Sequence, residues 1–336
     1  MSLEDKMAKL SKKFDTYNTE EYDTTGSIIF DAVLSDGKGM PKGAFVELAS
    51  QSGVGKSTLC LFMCKTYCSR GKVVVYLDYE HGVNGNMLRS IGLEPYLGKN
   101  FFLFQVTTFE EGEEIIDSLK DDGIDMFIVD SVTAMLPSKL QEGSIGDVLP
   151  GIQARYTALF LSKYKAVAQK SKITFVFINQ VRVKLNFRGM STEDSAGGNA
   201  QKFYMDTRLF MRKTKKLERD METLDGKSKV EYGCDAVLVA KKNRYAKPFV
   251  EGPITIYYGK GPSNLSSYVK WLEGKGYIKR AAWTTITWKD QEYKVRGQEG
   301  IIQWVKEHMG EVKQAIDEEG GLVLAREMNS EDSLYD

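Results

Sequence analysis

Residues 50–57 read Ser-Gln-Ser-Gly-Val-Gly-Lys-Ser, directly after the apolar run AFVEL at residues 44–48 and before a helical pattern over residues 57–69. A strand, a glycine-rich loop, a lysine and a hydroxyl residue at a helix start together indicate a phosphate-binding loop. In such a loop, backbone N–H groups and the helix dipole hold the phosphates of a nucleotide. We therefore predict that Lys56 neutralises the β- and γ-phosphate oxygens of ATP and that Ser57 binds Mg²⁺.

One residue of this loop departs from the usual pattern. The pattern G-x-x-x-x-G-K-[ST] begins with glycine, and this chain has Ser50 in that place. We expect the turn at residues 49–51 to be strained or differently shaped, with Gly53 supplying part of the missing flexibility. The predicted ATP-binding residues are Ser50, Gln51, Ser52, Gly53, Val54, Gly55, Lys56, Ser57 and Thr58.

Three polar residues follow other apolar runs at the point where each run ends. Asp130 closes MFIVD, Glu80 lies just past VVVYLD, and Gln180 closes ITFVFINQ. The carboxyl ends of parallel strands meet at one edge of a sheet, where ligands bind. We predict that Asp130 helps to hold Mg²⁺, that Glu80 activates water and that Gln180 senses the γ-phosphate. The alternatives are a solvated loop carboxylate for Glu80 and a satisfied strand-end amide for Gln180.

The order of apolar runs and helical patterns predicts the fold class. Short β-branched runs alternate with helical stretches from residue 43 to residue 180, which is typical of a parallel sheet covered by helices on both faces. Three later runs without long intervening helices, at 207–213, 235–240 and 253–258, indicate an antiparallel extension. Cys60, Cys64 and Cys68 recur every four residues, as expected for the buried face of a helix.

Composition excludes several classes of protein. The 336 residues are 42% hydrophobic, which supports a buried core, and 46 Lys+Arg balance 46 Asp+Glu. With a net charge of zero, any nucleic-acid contact must use a local basic patch. No run approaches the roughly 18 apolar residues of a spanning helix, and the N-terminus lacks a signal-type apolar core. We expect no membrane contact and a cytoplasmic location, in the host cell if the source is a virus.

Four segments are predicted along the chain. Residues 1–25 comprise an amphipathic helix over 3–14 and a polar linker over 15–26, and the helix is expected to dock on a neighbouring subunit or on its own chain. Residues 26–262 form the main domain. Residues 263–320 form a small C-terminal domain, and residues 321–336 form a short acidic tail.

Basic and apolar residues alternate in one stretch that then becomes glycine-rich. Arg182, Lys184 and Arg188 alternate with Val183, Leu185 and Phe187. Cations can follow phosphates, glycines admit backbone N–H groups, and apolar side chains can wedge between bases, so the stretch is a candidate DNA-binding loop. The alternative is a basic, solvated hairpin. A second cluster is interpreted as an ordinary exposed loop: Arg212, Lys213, Lys215, Lys216 and Arg219.

Several longer segments resemble bacterial-type RecA recombinases, in the order in which that family has them. After the phosphate loop come YLDYEHGVNGNMLRSIGLEP (76–95) and MFIVDSVTAMLP (126–137). The most specific stretch is INQVRVKLNFRGMSTEDSAGGNAQKFYMDTRL (178–209), and KKNRYAKPF (241–249) and YYGKGPS (257–263) follow. The resemblance implies a RecA-like P-loop ATPase core, a mostly parallel α/β sheet with helices on both faces, a short N-terminal helical arm and a small α+β C-terminal domain.

The resemblance also implies roles for individual residues. Glu80 is the catalytic glutamate, Gln180 the switch between nucleotide and DNA, and Tyr258 flanks the base. Lys242 and Arg244 act on the ATP of the neighbouring subunit, with Arg244 where lysine is usual. Asn84 and Met87 stand where an aspartate and a base-stacking tyrosine are expected. The end of the first DNA-binding loop, residues 153–155, supplies Arg155 as a DNA contact. The second loop, residues 181–198, and the residue after it supply the other DNA contacts: Arg182, Lys184, Leu185, Phe187, Arg188, Gly197, Gly198 and Asn199.

These patterns together predict an ATP-dependent recombinase. It would form a helical homo-oligomeric filament on single-stranded DNA and exchange strands with a homologous duplex, with Mg²⁺ and ATP as cofactors. One alternative is a ring-shaped helicase motor built on the same core. The other is a DNA-binding accessory subunit that does not hydrolyse ATP, an option raised by Ser50.

Overall fold

The structure is a computed structural model of the 336-residue chain. It describes residues 2–13, 20–142, 151–185, 191–195, 199–223, 226–319, 321–322 and 324–325. No helix within these ranges is both long and apolar enough to cross a membrane.

The described residues form helices and strands with the following bounds. The helices are α1 (Leu3–Lys13), α2 (Ile28–Ser35), α3 (Lys56–Cys68), α4 (Gly85–Ile91), α5 (Phe109–Leu119), α6 (Ser138–Glu142), α7 (Ile152–Ser171), α8 (Asn199–Tyr204), α9 (Asn264–Gly274), α10 (Gly297–Glu307) and α11 (Met309–Glu318). The strands are β1 (Tyr22–Asp23), β2 (Met40–Pro41), β3 (Phe45–Ser50), β4 (Val74–Asp78), β5 (Phe101–Gln105), β6 (Met126–Asp130), β7 (Thr174–Leu185), β8 (Ser191–Ser195), β9 (Thr207–Thr223), β10 (Gly226–Lys242), β11 (Val250–Tyr257), β12 (Gly261–Pro262), β13 (Ile278–Lys279), β14 (Thr284–Trp288), β15 (Gln291–Val295) and β16 (Leu324–Ala325).

The central sheet has the strand order β12-β11-β10-β9-β3-β7-β6-β4-β5. Neighbouring strands are parallel from β5 to β9 and antiparallel from β9 to β12. Every residue of β3 is buried, as expected for a strand covered on both faces. The predicted fold class, a mostly parallel sheet with an antiparallel extension, is confirmed.

The two faces of the sheet are buried by different kinds of side chain. On one face an aromatic layer joins neighbouring strands: the Phe127 and Phe175 rings are stacked 5.1 Å apart, and the Phe45 and Phe177 rings lie 5.0 Å apart. The other face packs against α3, whose residues Cys60, Cys64 and Cys68 are all buried. The cysteine stripe is therefore the buried helix face that its four-residue spacing predicts.

Strands β9 and β10 form a much longer hairpin than the sequence predicts. The cluster from Arg212 to Arg219, interpreted above as an exposed loop, lies on β9, so that interpretation is wrong. The outer part of the hairpin is polar and has no apolar run to mark it, but the register places Asp220 opposite Lys229. Opposite charges facing each other across a strand pair stabilise it.

The N-terminal linker predicted over residues 15–26 is folded in its described part. Strand β1 pairs with β2, and Thr25 is fully buried. The hydroxyls of Thr24 and Thr25 donate to the Asp31 carboxylate at 2.6 and 2.5 Å, which fastens this segment to α2. In α1, by contrast, the apolar side chains of Leu3 and Met7 are exposed.

Residues 264–319 build a unit with its own apolar core around Trp271, Trp288 and Trp304. Helix α9 joins this unit to the main domain, because the Asn264 amide accepts from the Ile28 N–H at 3.1 Å and donates to the Gly26 carbonyl at 2.9 Å. Beyond it, β16 pairs with β11 of the central sheet. Part of the segment predicted as an acidic tail is therefore a strand.

Gly112→Ala tests the packing that supports the loop after β4. Alanine normally stabilises a helix interior by about 1 kcal/mol over glycine. Here a Cβ at Gly112 would lie 1.8 Å from the Tyr79 hydroxyl oxygen, which is buried and has no hydrogen-bond partner. We expect Gly112→Ala to lower the free energy of unfolding by roughly 1–3 kcal/mol in urea titrations.

Two further variants make this test specific. Tyr79→Phe should recover part of the loss in the Gly112→Ala background, because it removes the clashing oxygen. Gly274→Ala, in α9 with open space around the Cβ position, should not be destabilising. A stable Gly112→Ala protein would show that α5 does not pack as described.

Candidate nucleotide site

The phosphate loop between β3 and α3 has the conformation that its glycines allow. Gly53 and Gly55 have φ values of 73° and 96°, in the left-handed region that glycine adopts without strain. Lys56 is the first residue of α3, and its ammonium donates to the Ser50 carbonyl, the Ser50 hydroxyl and the Gln51 carbonyl, each at 3.0 Å. Burial lowers the pKa of Lys56, whereas the charges of Asp130 and Glu80 oppose that shift.

Ser50 does not disturb the loop. It is the last residue of β3, pairs with Gln180 of β7 and Met211 of β9, and is not among the residues with positive φ. A side chain is therefore tolerated at this position. The expectation of a strained turn at residues 49–51 is wrong, and the serine hydroxyl instead gives Lys56 an additional acceptor.

Ser57 and Asp130 lie together, as predicted for a magnesium site. The Ser57 hydroxyl donates to Asp130 Oδ2 at 3.1 Å, and the Tyr76 hydroxyl donates to the same oxygen at 2.5 Å. Burial, with the nearby charges of Glu80 and Asp78, raises the pKa of Asp130 to about 6, although the hydrogen bonds from Tyr76 and Ser57 oppose the shift.

This pair fits the chemistry of Mg²⁺. The ion prefers oxygen ligands and usually takes only one or two from the protein, the others coming from water and the phosphates of the substrate. Within the described residues, no three His, Cys, Asp or Glu side chains converge to form a complete metal cage. Ser57 and Asp130 are therefore suited to a metal ion that arrives with a nucleotide.

Glu80 and Gln180 meet at the carboxyl edge of the sheet. Gln180 Nε2 donates to Glu80 Oε1 at 3.1 Å, and the Ser131 hydroxyl donates to the same oxygen at 2.5 Å. Both residues line an open cavity of about 500 Å³ together with the phosphate loop and Asp130. Because Glu80 and Gln180 are hydrogen-bonded, a displacement of either side chain changes the hydrogen bonding of the other.

The far wall of this cavity combines the predicted Tyr258 with two residues that were not predicted to belong to the site, Lys213 and Glu231. Tyr258 Oη lies 2.9 Å from the Gly53 carbonyl oxygen and 2.7 Å from Glu231 Oε1. Lys213 forms an ion pair with Glu231. The hydrogen bond from Lys213 is the main reason that the pKa of Glu231 is lowered to about 2, and the hydrogen bond from Tyr258 lowers it further. Lys213 and Glu231 reach the cavity only through the pairing of β9 with β10, which no local motif marks.

Asn84 and Met87 have structural roles at the start of α4. Asn84 Oδ1 accepts from the backbone N–H groups of Asn86 and Met87 at 3.1 and 3.2 Å, so it caps the helix. Met87 is partly buried against the core. The Asn84 side-chain oxygen is thus already engaged, at a position where the family resemblance leads us to expect an aspartate.

Lys242 and Arg244 lie near the amino end of β3, whereas their own phosphate loop follows the carboxyl end of that strand. Lys242 pairs with Arg208 at the start of β9, and Arg244 Nη1 donates to Asp206 Oδ1 at 2.9 Å. Asp206 is hydrogen-bonded to Phe45, the first residue of β3. The phosphate loop begins at the other end of that strand, about 17 Å away at a rise of about 3.3 Å per residue.

The predicted DNA-binding residues are described only in part. Arg155 is exposed in the first turn of α7, and the backbone of Arg182, Lys184 and Leu185 continues β7 beyond Gln180, paired with β8. Asn199 begins α8. The remaining predicted contacts lie outside the described residues: Phe187, Arg188, Gly197 and Gly198.

Comparisons with known proteins show which chains this one resembles. The family model "RecA N-terminal domain" matches residues 4–263. "Protein RecA" of Bartonella quintana (strain Toulouse) is 32% identical over 304 residues, which cover 89% of this chain and 83% of the relative. "Protein RecA" of Synechococcus sp. (strain CC9311) is 32% identical over 312 residues, 92% and 76% of the two chains. A solved structure, "Crystal structure of the RadB recombinase", has a TM-score of 0.51 at 22% identity, covers 71% of this chain and 97% of its own, and supports the fold.

Glu80→Gln tests the assignment of the base. The substitution keeps the shape of the side chain and removes its ability to accept a proton, and a general base typically contributes 10²–10⁴-fold to a rate. We expect ATP turnover in the presence of single-stranded DNA to fall by about that factor, with binding of a fluorescent ATP analogue retained. Glu114→Gln, at an exposed position of α5, is the matched control. Turnover within about threefold of the unaltered protein would remove Glu80 from this role.

Proposed function

This chain belongs to the RecA family, and from that premise we propose that it is a DNA-dependent ATPase that polymerises on single-stranded DNA. In the filament it pairs that strand with a homologous duplex and exchanges strands. ATP hydrolysis to ADP and phosphate drives filament turnover and breaks no bond in DNA. The observation that carries the proposal is that the phosphate loop lies at one end of β3, and Lys242 and Arg244 lie near the other end.

In this proposal several residues of the cavity have separate tasks in hydrolysis. The loop from Ser50 to Thr58 binds the phosphates through its backbone N–H groups, and the Lys56 ammonium turns from Ser50 and Gln51 to the β- and γ-phosphate oxygens. Glu80 accepts a proton from the attacking water, and Tyr258 lies beside the base. Ser57 and Asp130 would hold Mg²⁺, which would supply neutralising charge to the phosphate oxygens.

The position of the two cations supports assembly. Arg244 and Lys242 are too far from their own phosphate loop to touch its nucleotide, so they can stabilise γ-phosphate charge only on another copy of the chain. The amino end of β3 in one subunit then faces the carboxyl end of β3 in the next subunit, which is a head-to-tail contact. Contacts of that kind close into rings or continue as open helices. A cation supplied by a neighbour makes hydrolysis depend on assembly, as an arginine finger does.

The path of β7 supports coupling between nucleotide and DNA. Gln180 contacts Glu80 in the nucleotide cavity, and the next residues of the same strand, 181–185, begin the candidate DNA loop. A shift of Gln180 on contact with a γ-phosphate therefore acts on the loop through continuous backbone. We propose that the residues named above as DNA contacts, including Phe187, Arg188, Gly197 and Gly198, bind DNA.

Family membership does not favour the two alternatives from the sequence analysis, a ring-shaped helicase motor and a non-hydrolysing accessory subunit. Ser50, which raised the second, leaves the phosphate loop intact. We also propose the division into residues 1–25, 26–262, 263–320 and 321–336, with α1 docking on a neighbouring subunit through Leu3 and Met7, and a cytoplasmic location.

Mixing two inactive variants tests the shared site. Arg244→Ala should lose most of the ATPase activity that single-stranded DNA stimulates, because the developing γ-phosphate charge loses its partner. Lys56→Ala should lose activity at its own ATP site. Mixed filaments contain interfaces with an intact ATP site from one variant and an intact Arg244 from the other, so mixing should restore part of the turnover. Absence of rescue at every ratio, with co-assembly confirmed, would contradict a site shared between subunits.

Salt titrations test the DNA loop. Each phosphate neutralised on a single strand contributes about −0.7 to the slope of log K against log salt. Replacing Arg182 and Lys184 with alanine should flatten that slope in anisotropy titrations and weaken binding for all sequences alike. Phe187→Ala should weaken binding by about 1–3 kcal/mol, as loss of a stacking contact does, and leave the slope unchanged.

A charge-matched control distinguishes this loop from general electrostatics. Lys99 and Lys170 are exposed and lie shortly before the first residues of β5 and β7, whereas the loop continues from the last residues of β7. Replacing both with alanine removes the same charge and should change neither affinity nor slope. If the Arg182 and Lys184 variant behaves like this control, the loop is not the primary DNA site.

A further inference from the structure

A cluster of charged side chains surrounds Asp206 at the amino edge of the sheet. Asp206 is only 2% exposed and stands immediately before β9. Its Oδ2 accepts from the Phe45 N–H at 2.8 Å and from the Lys165 ammonium, while Oδ1 accepts from Arg244 Nη1 at 2.9 Å. The carboxylate thus joins β3, α7 and the segment after β10.

Arg244 is anchored at one end and accessible at the other. Its side chain is 56% exposed, although the carboxylate that it contacts is buried. A guanidinium has five N–H donors in a fixed planar fork, so one bond to Asp206 restricts its direction and leaves donors for another anion. Lys242 is held differently, because its ammonium donates to the neutral carbonyls of Lys202 and Phe203.

Lys165 changes the charge balance of the cluster. With Asp206 and Arg244 alone, the carboxylate would neutralise the guanidinium and make it a poor partner for a phosphate. Lys165 is 15% exposed, lies on α7 and supplies a second positive charge to the same carboxylate. The three groups together therefore carry a net charge of +1, which Lys242 raises to +2.

We propose that Asp206 is a positioning residue, which orients the Arg244 guanidinium toward the ATP bound by the neighbouring subunit, and that Lys165 preserves the positive charge of the cluster. This inference rests on the proposed function, because it requires the shared ATP site. It also gives a physical reason for arginine at a position where lysine is usual. A flexible ammonium needs no planar partner, whereas a guanidinium fork is useful only when its plane is fixed.

Asp206 has a second, purely structural contact that the experiment must separate from this role. Its bond to the Phe45 N–H fastens β9 to β3 whether or not Arg244 is present. A structural role alone predicts the same loss of activity for Asp206→Asn in any background. A positioning role predicts a loss that depends on the guanidinium.

The test is a double-mutant cycle between Asp206→Asn and Arg244→Lys, with turnover measured on saturating single-stranded DNA. Asp206→Asn should lower kcat about tenfold in the presence of Arg244. It should lower kcat less than about twofold in the Arg244→Lys background, since no fork remains to be oriented. Lys165→Met should raise the KM for ATP, because it removes one positive charge. Asp235→Asn, which breaks an ion pair between β10 and Lys270 of α9, should leave both constants unchanged.

Mixing shows which side of the interface is affected. Asp206→Asn subunits retain an intact ATP site, so an interface that pairs this site with the Arg244 edge of a Lys56→Ala subunit should turn over at the wild-type rate. Equal losses from Asp206→Asn in both backgrounds, or failure of the mixed interface to recover, would overturn the positioning role. Full activity of Arg244→Ala alone would instead overturn the shared site on which the inference rests.

Discussion

A buried ionic contact in the middle of β3 ties together the strands on which both halves of the site depend. Glu47 is fully buried, and its carboxylate accepts from Arg208 Nε of β9 at 2.6 Å and from Asn179 Nδ2 of β7 at 2.8 Å. Removing one partner of a buried pair leaves an uncompensated charge and typically costs 3–5 kcal/mol. The relative positions of β7, β3 and β9 are therefore strongly fixed.

The two ends of β3 then carry separate groups of candidate functional residues. At its carboxyl end Ser50 leads into the phosphate loop, and the neighbouring ends of β6 and β7 bring Asp130 and Gln180 to the same cavity. At its amino end Phe45 holds Asp206, which holds Arg244. A strand of fixed length keeps the phosphate loop and the two cations apart within one chain, so the proposed site, which uses both, requires a neighbouring subunit.

Much of the nucleotide site could be predicted from the sequence because it follows from two regular features. The glycine-rich loop is a local motif, and the carboxyl ends of parallel strands converge, so Lys56, Asp130 and Gln180 could be placed together without coordinates. Glu231 and Lys213 could not, because their meeting depends on the register of a long hairpin with irregular pairing near Glu231 and Gly233. Asp206 was missed for a related reason. A single carboxylate before a strand has no pattern around it, and its partners come from three distant segments.

Cryo-electron microscopy of the protein with single-stranded DNA, Mg²⁺ and a non-hydrolysable ATP analogue tests the shared site most directly. We predict an open helical filament in which Arg244 of each subunit lies within hydrogen-bond distance, about 3 Å, of the γ-phosphate held by Lys56 of the next. In the same maps Asp206 should remain in contact with Arg244. A filament or ring in which Arg244 and Lys242 face solvent, with every nucleotide contacted by its own chain alone, would contradict the central claim.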